Sequence, residues 1–274
     1  MNEKNVKNIL IVLVETETPG NLGASARAMK AMGLKALRLV NPKRKDSREA
    51  RARAVHAYDV LEQAEVFTTL EAALADCHYV LGTSGQIESL DLPQFTSRQF
   101  TEFLQQDIEL LHHKIAIVFG RESTGLSKAE LSLCHSHIKI PTHQDCPSLN
   151  LAAAVQIICY ELASMKTTKN LQDKQNREDA DFHHNSLRVL NNTNHSHNSQ
   201  KKVDLASKQQ LDYLLGQLEA LAVEVGSLDP QHPRQFSRRL RELYQRAIPR
   251  KAELSLMQSI CKRALTKLSK KEKL

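Results

Sequence analysis

One repeated junction constrains this chain more than any other feature: a short apolar run, a polar turn broken by glycine or proline, then a helical pattern. Ile9-Leu10-Ile11-Val12-Leu13-Val14 leads into Pro19-Gly20-Asn21-Leu22-Gly23-Ala24-Ser25-Ala26-Arg27-Ala28. Ile115-Ala116-Ile117-Val118-Phe119 leads into Gly120-Arg121-Glu122-Ser123-Thr124-Gly125-Leu126-Ser127. Asp145-Cys146-Pro147-Ser148-Leu149-Asn150 opens onto Leu151-Ala152-Ala153-Ala154-Val155, with Ser148 placed to cap the helix by accepting from its free first-turn amides. Glycine and polar residues at the carboxyl end of a buried strand are where open α/β sheets build ligand crevices. Three such junctions in one domain point to a site.

Between these landmarks strands and helices alternate. The pattern predicts a helix from Asn21 to Met32 stopped by Gly33, a strand at 37–40, and a Ser47-capped helix to about His56. A short strand at Val66-Phe67, a helix from Thr69 to Ala75 and a strand at 79–82 running into Thr83-Ser84-Gly85 follow. A helix from Ser97 to about Leu111 precedes the Ile115 strand; Ser127-Lys128-Ala129-Glu130 is a capping box, and Ile138-Lys139-Ile140 is the last strand. Strands separated by helices predict a mostly parallel sheet covered on both faces, over residues 1–167. Residues 168–203 are dominated by Asn, Gln, His, Lys and Asp and predict a flexible polar linker. From 204 to 274 the apolar period is helical (Leu211, Leu214, Leu215, Leu218; Phe236, Leu240, Leu243; Leu254, Met257, Ile260), predicting a small bundle of about three helices.

Charge separates the two halves. The formal net charge is +7, and the excess sits in the tail, where Arg234, Arg238, Arg239, Arg241, Arg246 and Arg250 and a run of lysines to Lys273 face only Glu242, Glu253 and Glu272. Such asymmetry predicts a polyanionic partner, nucleic acid first among them. The five cysteines include no C-x-x-C, which argues against a disulfide framework or zinc ribbon, and His183, His184, His195 and His197 lack a scaffold to hold a metal. Apolar runs of about six residues are far short of the ~20 that span a bilayer. With no signal-peptide pattern at Met1, the expectation is a cytoplasmic protein.

Common cofactor loops are missing. There is no G-x-x-x-x-G-K-[ST], no G-x-G-x-x-G after the first strand, and no G-x-S-x-G elbow. Instead Asn21-x-Gly23-x-x-Ala26-Arg27, Phe119-Gly120-x-Glu122-x-x-Gly125-Leu126 and Pro147-Ser148-Leu149-Asn150-Leu151-Ala152 resemble, in order and spacing over residues 8–165, the three motifs of the trefoil-knotted (SPOUT) RNA 2′-O-ribose methyltransferases. The tail, from Phe236-Ser237-Arg238-Arg239-Leu240-Arg241 onward, is similar to the helical extension of the bacterial tRNA (cytidine/uridine-32) members.

The resemblance implies a C-terminal trefoil knot, a homodimer with sites at the subunit interface, S-adenosylmethionine as methyl donor, no metal, and tRNA as substrate. An rRNA ribose is the alternative target, and a non-catalytic RNA-binding factor the alternative class. Carried onto this chain, the cofactor residues are Thr83, Ser84, Gly85, Gly120, Arg121, Ile140, Pro147, Ser148, Leu149 and Asn150. Arg27 is the expected catalytic residue, with Glu122, Ser148 and Asn150 orienting substrate or arginine; Asn21, Arg27, Arg238, Arg239 and Arg241 are the expected RNA contacts. A guanidinium hardly deprotonates, so Arg27 is expected to orient and stabilise charge rather than act as a base. One departure stands out: Gly85-Gln86-Ile87-Glu88 follows Thr83-Ser84, where relatives often carry a basic residue.

Overall fold

Why the apolar runs are continuous rather than alternating becomes clear from the sheet. The computed structural model describes residues 8–85, 92–107, 113–165, 204–231 and 235–271. The expected linker, Gln86-Ile87-Glu88, Arg234 and the distal part of the helix expected to reach Leu111 lie outside them. Seven strands, β1 (Ile9–Val14), β2 (Leu37–Val40), β3 (Glu65–Phe67), β4 (Tyr79–Thr83), β5 (Gln94–Thr96), β6 (Ile115–Phe119) and β7 (Ser136–Lys139), pair in the order β3-β2-β1-β6-β4-β7-β5. Every pairing is parallel.

Both faces are covered, as parallel sheets require. Ile9, Ile11, Leu13, Ile115, Ile117 and Phe119 face one core, and Leu10, Val12, Val14, Ala116 and Val118 face the other. The first core also takes Leu22, Ala26 and Met29 of helix α1 (Pro19–Ala31), Ala50 and Ala54 of α2 (Arg48–Ala54), Val60 and Leu61 of α3 (Tyr58–Glu62), and Phe100 and Leu104 of α5 (Gln99–Asp107). It is completed by Leu151, Val155, Ile158 and Leu162 of α7, residues 151–165. On the opposite face lie α4 (Leu70–Leu74) and α6 (Lys128–Leu131).

Caps fall largely where side-chain chemistry places them. Ser47 accepts from Ala50 N at 3.1 Å and Thr69 from Ala72 N at 3.2 Å. The Ser127–Glu130 box closes in both directions. The α7 cap is a correction: Asn150, not Ser148, takes it, its Oδ1 accepting from Ala152 N at 2.9 Å. Three other boundaries also shift. Helix α1 begins at Pro19, suited to a first turn that needs no N–H; the last strand is Ser136–Lys139 rather than 138–140; and α5 begins at Gln99. Strand β5 is additional, an edge strand of three residues paired only to β7.

Among the described residues the tail forms three helices, α8 (Lys208–Glu224), α9 (Phe236–Ala247) and α10 (Lys251–Lys271), around their own core of Leu211, Leu214, Leu215, Leu254 and Cys261. It docks through the start of α8. Amides that a helix leaves unpaired in its first turn go instead to the turn before β4: Lys208 N to Cys77 O at 2.8 Å and Gln209 N to Ala75 O at 3.0 Å. Leu205 N donates to His113 Nε2 at 3.4 Å, and Gln245 of α9 donates to Ser132 O at 3.0 Å. Lys208 is buried in this contact, its Nζ lacking a hydrogen-bond partner among the described residues, and burial pushes its ammonium down from 10.5 to about 8. No helix among the described residues is long and apolar enough to cross a membrane.

Candidate functional site

Strands β6, β4 and β7 are neighbours in the sheet, so their carboxyl ends open side by side. The loops leaving them enclose a cavity of about 480 Å³. Thr83, Ser84 and Gly85 line it from β4, the 119–126 segment from β6, and Ile138, Ile140, Thr142, Pro147, Ser148 and Leu149 from the β7–α7 connection, with Leu151 and Ala154 of α7. The expected cofactor residues thus meet at one place, except Asn150, which does not line the cavity although Leu149 and Leu151 on either side of it do.

The β6 loop can adopt its shape only with glycine at its start. Arg121 N donates to Gly125 O at 3.1 Å and Gly125 N to Arg121 O at 2.9 Å, folding the loop into a tight hairpin. A Cβ on Gly120 would lie 2.1 Å from Gly125 C and 2.3 Å from Leu126 N. Gly125 itself has φ +66°, in the left-handed region that glycine enters freely. The Thr83 hydroxyl donates to Val118 O at 3.0 Å, and Ser84 N to Ile138 O at 3.2 Å, tying the β4 end to both neighbours.

Arg121 and Glu122 have divided tasks. The Arg121 guanidinium is consumed internally: Nε to Glu15 at 2.9 Å, and Nη1 and Nη2 to the two oxygens of Glu130 at 2.9 and 3.0 Å. It therefore faces the cavity through its loop rather than offering a free charge. Glu122 reaches the other way. Its Oε2 accepts from Glu17 N at 2.9 Å, and its Oε1 from Thr18 N at 3.1 Å and Asn21 Nδ2 at 2.9 Å. Burial opposes its ionisation, but the Asn21 amide and the two backbone amides prevail and hold its pKa below 4.5.

Asn21 continues the chain. Its Oδ1 accepts from Asn150 Nδ2 at 2.9 Å, while Asn150 Oδ1 caps α7. One run of hydrogen bonds, Glu122–Asn21–Asn150–Ala152 N, joins the three junctions recognised in the sequence. Asn21, expected at the RNA, has both ends of its amide engaged in this run. Ser148 is exposed at the cavity wall.

Arg27 lies outside the cavity. It is exposed on α1, with no ion pair among the described residues. Of the tail arginines, Arg241 pairs with Asp212 of α8 and Arg238 with Glu242 one turn away at 2.8 Å, so both are partly spoken for within the bundle. Arg239 stays exposed. Among the described residues no group of three or more His, Cys, Asp or Glu is placed to hold a metal ion.

An all-parallel sheet with a crevice beyond adjacent strand ends, roofed by glycine-bearing loops, defines an α/β ligand-binding domain of the open-sheet class. The chain belongs to the SpoU rRNA Methylase family, whose family model matches residues 8–160. Residues 209–273 match the model of the tRNA methyltransferase TrmJ C-terminal domain. The chain is 37% identical to a tRNA (cytidine/uridine/adenosine-2'-O-)-methyltransferase TrmJ of Pseudomonas aeruginosa, covering 92% of this chain and 91% of that one. It is 38% identical to a tRNA (cytidine/uridine-2'-O-)-methyltransferase TrmJ of Salmonella typhimurium, covering 93% and 95%. Among solved structures, TrmJ from Z. mobilis ZM4 superposes with a TM-score of 0.72 at 26% identity, covering 93% of this chain and 97% of that one. A probable methylase family protein from Haemophilus influenzae gives 0.56 at 31% identity, covering 96% and 98%.

Proposed function

We propose that this protein transfers a methyl group from S-adenosylmethionine to the ribose 2′-hydroxyl of a cytidine or uridine in the tRNA anticodon loop, at position 32, working as a cytoplasmic homodimer. The observation that carries this reading is the hydrogen-bond run that fixes the Arg27-bearing helix to the cavity rim. Names borne by the relatives support the substrate class.

The cavity fits the donor. Ile138, Ile140, Leu149 and Leu151 offer apolar walls for an adenine ring and a methionine chain, and its volume falls within the range of small-molecule sites. Gly85 and Gly120 keep side chains out of the way where the backbone closes in. When bound, the donor supplies an electrophilic methyl group on a sulfonium.

The remaining work falls to side chains. The Arg27 guanidinium holds a phosphate next to the target ribose in a planar fork and stabilises negative charge growing on the 2′-oxygen. The hydroxyl proton leaves to phosphate or water. Glu122 and Asn21 fix the start of α1, so the arginine is held in register with the cavity. A site at the boundary between two protomers accounts for a catalytic arginine outside the cavity of its own chain. The tail adds affinity, Arg239 being its most available cation of the expected three.

The test is methyl transfer by the purified full chain from labelled S-adenosylmethionine to tRNA and, separately, to rRNA, with mass mapping of the product. Modification at tRNA ribose 32 is the expected result; transfer to rRNA alone discards the substrate. Arg27→Ala should lower single-turnover transfer by about 10²–10⁴-fold with cofactor affinity retained. Near-normal transfer by that variant removes the role.

A further inference from the structure

Beyond the tail, a second basic surface stands beside Arg27. Residues 43–56 carry Lys43, Arg44, Lys45, Arg48, Arg51 and Arg53 against Asp46 and Glu49. Arg48, Arg51 and Arg53 are exposed on α2 and make no ion pair among the described residues. The tail arginines Arg238 and Arg241, by contrast, have carboxylate partners. Arg48 and Arg51, three residues apart on α2, repel each other by a few tenths of a kcal/mol. They are more favourable with a polyanion laid across them.

Their position relative to Arg27 follows from α1. A Cβ on Gly20 would lie 3.6 Å from Arg53 Cγ, and one on Gly23 2.9 Å from Arg53 Cβ and 2.1 Å from Ala50 O. Further along, Lys30 Nζ donates to His56 O at 2.7 Å and Asp59 Oδ1 at 2.8 Å. At 3.6 residues per turn, positions 20, 23, 27 and 30 fall within about 80° of one another on α1. Arg27 therefore rises from the line along which α2 and the turn after it (Val55–Ala57) are packed, between the Gly23–Ala50 contact and the Lys30–His56 contact. Glycines at 20 and 23 are what allow α2 to sit this close.

The rail is held stiffly. Arg51 Cζ stands over the Tyr58 ring, 4.3 Å from its centroid, a cation–π contact that orders the guanidinium without neutralising it. Ala50 and Ala54, fully buried, anchor the inner side of α2; at 3.6 residues per turn Arg48 stands on the outer side, with Arg51 on one flank towards Tyr58 and Arg53 on the other towards α1.

We infer that Arg48, Arg51 and Arg53 form a phosphate-binding rail that lays the RNA backbone beside Arg27. The inference rests on reading the chain as a tRNA ribose methyltransferase and assigns the catalytic domain, not the tail alone, a share of substrate binding. Phosphate contacts position RNA without reading sequence; their signature is salt dependence, with about 0.7–0.9 in the slope of log K against log salt for each contact.

The experiment compares the full chain with Arg48→Gln/Arg51→Gln/Arg53→Gln and with the Arg48→Gln/Arg53→Gln pair, which keeps the Tyr58 contact. Expected for the triple variant is tRNA binding weakened about tenfold or more near 150 mM salt, and a salt slope shallower by about 2–3. The pair should fall between, with S-adenosylmethionine affinity unchanged in both and Tm unchanged in the pair. Lysine at the same three positions should restore most of the slope. An unchanged slope and unchanged KM for tRNA in both glutamine variants, beside an active parent chain, overturns the rail and leaves the proposed activity standing. A parent chain that neither binds nor methylates tRNA overturns the activity and the rail with it.

Discussion

Glu122→Ala removes three acceptor bonds at once, and the structure sets the size of the effect. The carboxylate takes hydrogens from Glu17 N, Thr18 N and Asn21 Nδ2 at 2.9–3.1 Å. Thr18, the residue preceding α1, makes no side-chain cap of its own, so Glu122 supplies the negative charge that a helix start favours. Hydrogen bonds to a charged group contribute about 1.5–3 kcal/mol each when sheltered. Glu122 is only partly sheltered, and about 1 kcal/mol per bond, or about 3 kcal/mol together, is the reasonable expectation. For a domain of this size that is a fall in Tm of roughly 6–12 °C.

Glu122→Gln, which keeps the shape but can accept on one side only, should lose about half as much. The pH dependence has a definite sign. The folded-state pKa lies below 4.5, so the stabilisation is complete above that value and is lost as pH falls through the depressed pKa. Wild type and Glu122→Gln should therefore converge in urea melts carried out well below pH 4.5 and separate at pH 7. Transfer rate should fall in both variants because α1 loosens, while S-adenosylmethionine titration changes little. A Glu122→Ala protein with unaltered Tm but abolished transfer would refute this reasoning, placing the carboxylate in the chemistry and not in the scaffold.

Two further perturbations probe other parts of the fold. Gly120→Ala puts a Cβ 2.1 Å from Gly125 C, and the loop must open; overpacking of this kind costs about 1–3 kcal/mol, and calorimetric titration should show S-adenosylmethionine affinity lost before the fold is. Lys208→Met replaces a buried ammonium that has no hydrogen-bond partner among the described residues and whose pKa is pushed from 10.5 to about 8. Because the unfolded chain holds that proton more tightly, wild type should gain stability as pH rises from about 8 towards 10.5; the variant should be more stable at pH 7, by up to about 3 kcal/mol, and show no alkaline gain.

The strand-forming runs, the Ser127–Glu130 capping box and the three junctions were legible because each is written in consecutive residues. Six apolar residues from Ile9 to Val14 can be satisfied only between two layers, and Ser127 with Glu130 closes its box within one turn. The crevice was legible to the same depth: the cavity is built from the segments that carry Thr83, Gly120 and Leu149. Strand β5 was not, since Gln94-Phe95-Thr96 holds a single apolar residue and exists as a strand only by pairing with β7. Ser148 and Asn150 both suit a helix start; Asn150 prevails because Asn21, 129 residues away, orients its amide.

By itself, then, the order of residues decided the class of fold, the location of the crevice and the basic character of the protein, all properties of local pattern and composition. Side-chain roles were decided by distance through space. Arg121 looks like a free cation until Glu15 and Glu130 close on it, Arg241 until Asp212 does. Lys208 reads as an ordinary helix-start lysine until docking on Cys77 and Ala75 buries it. Electrostatic partners and desolvation depend on which surfaces meet, and those meetings exist only once the chain has folded.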